Sequence, residues 1–260
     1  MRTAMAVTLA TVLGVSFADA QWLNYPDPTI PRLPDGTPNL SAPAPRATDG
    51  RPDLSGVWVL DKTPFRYLTN LAADFAPDDV AMQPWAATLT KERADGAHAD
   101  ELPPSRCLPP GITILNNSSA ASFPMKIVQN PRLLLVLYEL AQFRQVFLDG
   151  RPLPVDPNPT WLGYSVGRWQ GDTLVVETAG FNGKSWLDLR GHPSTDALRL
   201  TERFHRIDVG HLELAMTIDD PKAYVKPWTV NLAMRLSPDT DILEYVCNEN
   251  EKDRAHILTK

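Results

Sequence analysis

From residue 123 onward the chain alternates apolar and polar positions with a period of two, in short runs separated by turn residues. Runs of this kind predict strands buried on one face. They span 126–129, 133–139, 143–148, 164–169, 173–178, 198–207, 212–218, 228–236 and 242–247, and an earlier run covers 54–60. Asp149-Gly150, Gly171-Asp172 and Gly210 mark turns between them. In 212–218, Leu212, Leu214, Met216 and Ile218 share a face; in 228–236, Trp228, Val230, Leu232, Met234 and Leu236 do. The opposite faces carry Glu213, Thr217, Asn231 and Arg235, which predicts solvent there. About ten short, regularly spaced strands predict a mainly β fold, an antiparallel up-and-down barrel with an apolar interior.

The rest of the chain lacks this period. Residues 63–100 read as helical or irregular, with the best helix over 82–93 and Pro84 in its first turn. Residues 101–117 read as a proline-rich loop around Cys107. Residues 21–52 carry prolines every few positions, which predicts an extended arm without helix or central strand. The arm contains an echo: Asp35-Gly-Thr-Pro-Asn-Leu-Ser41 is followed by Asp49-Gly-Arg-Pro-Asp-Leu-Ser55. A third fragment, Asp149-Gly-Arg-Pro152, comes later, and all three read as repeated turn chemistry.

Composition adds compartment and partner class. Arg2, an apolar run over 4–17 and Ala18-Asp19-Ala20 read as a secretory signal over 1–20. The remaining chain divides into the arm at 21–52 and a barrel domain at 53–260, expected to be exported, periplasmic or extracellular. No later run reaches the roughly 18 apolar residues of a membrane span. The formal charge of −6 argues against nucleic acid and anionic lipid as partners. Two cysteines, Cys107 and Cys247, predict a disulfide in an oxidising compartment. Neither lies in a CxxC motif or beside a histidine, which speaks against a zinc site or a cysteine nucleophile.

The strings PDLSGVW, DGRPLPVDPNPTWLGYSVGRW, GDTLVVETAGFN, TERFHRID, TIDDPKAYVKPW and EYVCNENEKD are similar to those of a family of uncharacterised exported bacterial proteins. Gly56-x-Trp58 also resembles the first-strand signature of lipocalin-like barrels, in which the tryptophan packs across the barrel floor. The resemblance implies a lipocalin-like β-barrel to which the proline-rich arm belongs. It supplies no catalytic residue.

Candidate chemistry concentrates in 161–206, which holds three of the seven tryptophans and two of the five histidines. Gly163-Tyr-Ser165-Val-Gly167 matches the G-x-S-x-G elbow, but that motif needs a strand-to-helix turn and β-like residues follow here. His192, His205 and His211 fall in a loop, a strand and after a turn, with no i, i+2 or i, i+4 pair. Scattered histidines are therefore preferred to a metal site. The acidic turns at Asp219-Asp220, Asp239-x-Asp241 and 248–251 lack a calcium-loop pattern.

On the alternation Glu202 lies with Leu198, Leu200 and Phe204, and so points inward. Arg203 lies with Arg199, Thr201 and His205, and Glu244 with Ile242 and Val246. A buried carboxylate requires an inward arginine or tyrosine partner. It then serves either as half of a structural pair or as an acid–base group.

The leading expectation is binding of a small hydrophobic or aromatic molecule inside the barrel. Its contacts would be Trp161, Trp169, Trp186, Phe181 and Phe204, with Glu177, Arg144 and His192 as polar neighbours. The alternative is a cofactor-independent isomerase, lyase or hydrolase using Glu202 and Glu244 with Arg203, His205 and Tyr164. A third class is a structural role through the arm. None of these readings invokes a cofactor or a metal, and the oligomeric state stays open. A packed interior favours the structural role, a roomy apolar cavity favours the binder, and two convergent titratable groups favour the enzyme.

Overall fold

The computed structural model describes residues 25–61, 65–118 and 123–247. The secretory signal read over 1–20 and the acidic stretch 248–251 lie outside the described residues. Nine strands form one closed barrel in chain order: β1 (Gly56–Leu60), β2 (Met125–Asn130), β3 (Leu133–Tyr138), β4 (Gln142–Phe147), β5 (Tyr164–Gln170), β6 (Thr173–Ala179), β7 (Arg199–Arg206), β8 (His211–Asp219) and β9 (Trp228–Leu236). Three helices are described, α1 (Arg66–Thr69), α2 (Pro84–Ala94) and α3 (Ile112–Ser118). None is long and apolar enough to cross a membrane.

Two expectations are corrected. Residues 241–246 are not a strand, so the expected tenth strand is absent, and Glu244 is exposed on a segment that follows β9. The barrel is also not purely antiparallel. A closed ring of alternating strands needs an even number of members; with nine, one neighbouring pair has to run parallel. That pair is β4–β5, held only through Val146↔Ser165 and Phe147↔Val166. The physical cause is the connection 148–163. Asp149-Gly150 turns the chain, but Pro152, Pro154, Pro157 and Pro159 then carry it back along the barrel before β5 begins.

The inward faces pack into one core from Trp58 on β1 to Leu236 on β9, and β9 alternates buried and exposed along its full length. One end of the barrel, the floor, is shut by Trp58. Its indole donates to Leu54 O at 3.0 Å, and the Arg206 guanidinium lies 4.9 Å above the ring. Arg206 donates to the carbonyls of Asp53, Ser55, Asp208 and Val209, so its charge is dispersed over four backbone dipoles. Burial pushes its pKa down to about 10.

The arm seals the floor from outside, and the sequence echo is a structural repeat. Leu33 N donates to Thr37 O and Gly36 N to Leu33 O; fourteen residues on, Ala47 N donates to Arg51 O and Gly50 N to Ala47 O. Asn39 N to Pro31 O is matched by Asp53 N to Pro45 O. In each unit an arginine donates to its own turn glycine, Arg32 to Gly36 O and Arg46 to Gly50 O. Each arginine then forks onto an aspartate at the barrel floor, Arg32 onto Asp239 and Arg46 onto Asp172. Gly210, whose N donates to Leu40 O at 2.7 Å, permits the closest approach: a Cβ there would lie 2.5 Å from the Leu40 side chain. Cys107 and Cys247 form a disulfide that ties the loop before α3 to the segment after β9.

The two docking carboxylates set a pH prediction. Hydrogen bonds from Arg46 and Arg32 hold Asp172 and Asp239 below the ordinary value of 3.8. A carboxylate depressed in the folded state contributes docking that is present above that value and lost as pH falls through the folded pKa. On acid titration followed by NMR, the Gly36 and Gly50 amides should keep their native shifts through pH 4 and lose them below it, before Leu214 in β8 changes. Loss already at pH 5, or together with Leu214, would refute the arm's separate docking.

Candidate functional site

The end opposite the floor, the mouth, is where β3, β7 and β9 bring Tyr138, Arg199 and Trp228. It is closed by α3 and by the segment 180–198. Gly111, at φ +96°, starts α3 where a side chain would strike Ser185. Residues 111–117 are all buried, and Asn116 reaches down into the barrel.

Below it lies a layer of polar groups surrounded by apolar core. Glu202 on β7 is 0% exposed and Arg144 on β4 is 3% exposed; they form an ion pair. Arg144 also donates from Nε to Ser165 Oγ at 2.9 Å and from Nη2 to Thr178 Oγ1 at 2.7 Å. The second Glu202 oxygen accepts from Asn116 Nδ2 at 2.9 Å, and Asn116 Oδ1 accepts from the Tyr138 hydroxyl at 2.9 Å. Burial raises the Tyr138 pKa further above its ordinary value. Burial alone would lower that of Arg144, but the facing Glu202 carboxylate and Tyr138 outweigh it and the net shift is upward. Arg144 is therefore a fixed cation.

A cleft opens at the mouth above this layer. Its walls are Trp161, Phe181 and Trp186 with Ile112, Leu187, Leu198 and Leu200, and its polar lining comes from Thr113, Asn182, Ser185 and Ser194. It encloses about 310 Å³ of empty space, open solvent included, of which the part a water-sized sphere can occupy is about 10 Å³. That is room for about one water molecule. Behind the cleft the Arg93 guanidinium of α2 stacks 4.2 Å from the Trp186 ring centroid and donates to Gly191 O at 3.2 Å.

The same end holds a second buried pair. The His192 ring donates from Nδ1 to Asp188 Oδ2 at 2.6 Å, and Asp188 also accepts from the backbone of Leu71, Gly191 and His192. The aspartate thus pins the segment after α1 to its own loop. The backbone of α1 adds two bonds to the same loop, accepting from Leu189 N and Arg190 N.

The sequence candidates are distributed over these places. Trp161, Phe181 and Trp186 meet in the cleft. Phe204 is buried in the barrel core and Trp169 is at the floor, under Arg51 at 5.8 Å. Glu202 points inward, as the alternation required, and finds Arg144. Arg203 and His205 lie outside the barrel, donating to Gln170 and facing Glu213 respectively, in an open groove with Ala215 and Asn231. Tyr164 donates from its hydroxyl to Asn158 O, and Glu177 pairs with Arg168 on the outer face. Glu202, Glu244, Arg203, His205 and Tyr164 are thus not brought together. Ser165 sits within β5 and holds Arg144, with no helix following it.

Each of His192, His205 and His211 faces its own carboxylate, Asp188, Glu213 and Asp208. No group of three metal-ligating side chains occurs among the described residues. Comparison with protein-family models, with curated proteins and with solved structures finds no match.

Asn116, Tyr138, Ser165 and Thr178 were missed as members of the buried layer. Ser165 and Thr178 had a signal, being polar at inward positions of their strands. Asn116 had none.

Removing one member of a buried pair leaves the other charge uncompensated, which costs about 3–5 kcal/mol. Glu202→Gln should therefore lower the unfolding free energy by that amount in urea denaturation. The double variant Glu202→Met, Arg144→Met should recover much of it. A Glu202→Gln protein as stable as the parent would show that the pair is not structural.

Proposed function

We propose that the protein binds a small apolar molecule carrying one ring, in the cleft at the mouth of the barrel. The observation that carries this reading is the convergence of Trp161, before β5, with Phe181 and Trp186, in the segment after β6, onto one concave site. The expectation of a ligand inside the barrel is thereby moved to its end, because the inward faces are packed against one another and against α3. The volume bounds the ligand: the part of the cleft open to a water-sized sphere, about 10 Å³, is far below the roughly 300 Å³ of ordinary small-molecule pockets, so a single small ring is the limit and the cleft has to open to admit it. Entry requires a wall to yield, and Trp161 is the apolar wall that is not fully buried.

Binding is favoured over turnover by the lining itself. Among the described residues no acidic, basic or histidine side chain lines the cleft, so the lining offers no acid–base pair. The Arg144–Glu202 pair is sealed beneath it and engaged with Ser165, Thr178 and Asn116. The disulfide and the apolar run at 4–17 support action in an oxidising compartment outside the cytoplasm. The similarity of motifs noted in the sequence supports kinship with the exported family.

Toluene is a suitable probe. Titration calorimetry should detect its binding to the parent protein, and Trp161→Ala should weaken it about tenfold, the loss of about 1.4 kcal/mol of aromatic contact. The thermal midpoint should fall less than on truncating a core aromatic such as Trp186, since Trp161 is partly exposed. Absence of binding, or binding indifferent to Trp161→Ala, would overturn the reading.

A further inference from the structure

Ser185 lines the cleft, and its hydroxyl oxygen is withdrawn from solvent without a hydrogen-bond partner among the described residues. Its position is held from both sides. Ser185 O accepts from Ser194 Oγ at 2.8 Å, and the turn at Gly111 brings the α3 backbone so close that a Cβ there would lie 2.9 Å from Ser185 Oγ. A buried hydroxyl with no partner is costly, and proteins retain few of them. Among the described cleft residues it is the buried side-chain polar atom without a hydrogen-bond partner, and aromatic walls lie beside it.

The charges around the cleft narrow the choice further. Among the described residues no cationic side chain lines it, so a buried anion would lose its hydration without a counter-charge. A cation fares no better. Arg93 already lies over the Trp186 ring at 4.2 Å, so a second cation would meet an indole whose π density is drawn away and a like charge behind it. The cleft is suited to a neutral molecule.

Building on the cleft reading above, we infer that the ligand class is an uncharged aromatic ring bearing a hydroxyl, the ring against the tryptophan walls and the hydroxyl bonded to Ser185 Oγ. A hydroxyl both donates and accepts, and so satisfies Ser185 whichever way its proton points. It also reproduces the bond a single water would make in the small free space, which a methyl group cannot do.

Phenol and toluene test this, being near-isosteric and differing in hydroxyl against methyl. Both are titrated calorimetrically into the parent protein and into Ser185→Ala, with benzoate and benzylamine alongside. Ser185→Ala keeps the Cβ and removes a hydroxyl that has no partner, so its thermal midpoint should match or exceed that of the parent. The expected result is that Ser185→Ala weakens phenol about tenfold and leaves toluene within about twofold. Equal shifts for both rings, or tighter binding of benzoate or benzylamine than of phenol, overturn the inference. If toluene binds the parent and phenol ignores Ser185→Ala, only the hydroxyl assignment falls. If neither ring binds the parent, the cleft reading and this inference fall together.

Discussion

A carboxylate with no exposure, in the middle of a β-barrel, dictates much of what surrounds it. Glu202 cannot stay charged there without a cation and several donors. The cation is Arg144, three strands away around the ring, and Arg144 in turn occupies the hydroxyls of Ser165 and Thr178 on the strands between. Four neighbouring strands, β4 to β7, are thereby cross-linked through the interior. They include the β4–β5 junction, where the backbone ladder has only two residue pairs. The network lies beside the weakest seam of the barrel.

The same carboxylate explains α3. Its second oxygen needs a donor from above, and Asn116 supplies it while its own oxygen takes the Tyr138 hydroxyl. A seven-residue helix would be marginal alone. Here it is held by that polar contact, by burial of Ile112, Ile114 and Leu115, and by the nearby disulfide at Cys107. The hydrogen-bond requirement of one strand residue thus places the helix that roofs the barrel and forms one wall of the cleft.

This is also where sequence reading stopped. Strand period, the Pro84 helix, the inward direction of Glu202 and the cysteine pair were all legible, because each depends on local spacing or residue chemistry. Residues 101–117 read as loop because Ile-Thr-Ile-Leu-Asn-Asn has no amphipathic period and two β-branched isoleucines. The signal for α3 lies in Glu202, eighty-six positions from Asn116. The parallel pair was hidden for a similar reason. Asp149-Gly150 is a good turn, and nothing local says that the prolines after it reverse the chain again. Of the aromatic candidates, three converged and two did not, since the alternation shows which side a residue faces but not which end of the barrel it occupies.

Backbone bonds hold both ends of the barrel, but the mouth alone carries the aromatic cleft, and on the proposed reading this directs a ligand there. The floor is closed by bonds that involve backbone: Arg206 on four carbonyls, the turn carbonyls held by Arg32 and Arg46, and Gly210 against Leu40. Opening it would strand several donors and acceptors at once. The cleft at the mouth is walled largely by side-chain contact, with a half-buried tryptophan at its edge and an unsatisfied hydroxyl within. Rotating a side chain there costs rotamer energy and some apolar burial but breaks no ladder. On the proposed reading, a small molecule with a ring would restore the lost burial as it enters. On the proposed reading the ligand therefore enters at the mouth, where the aromatic cleft lies.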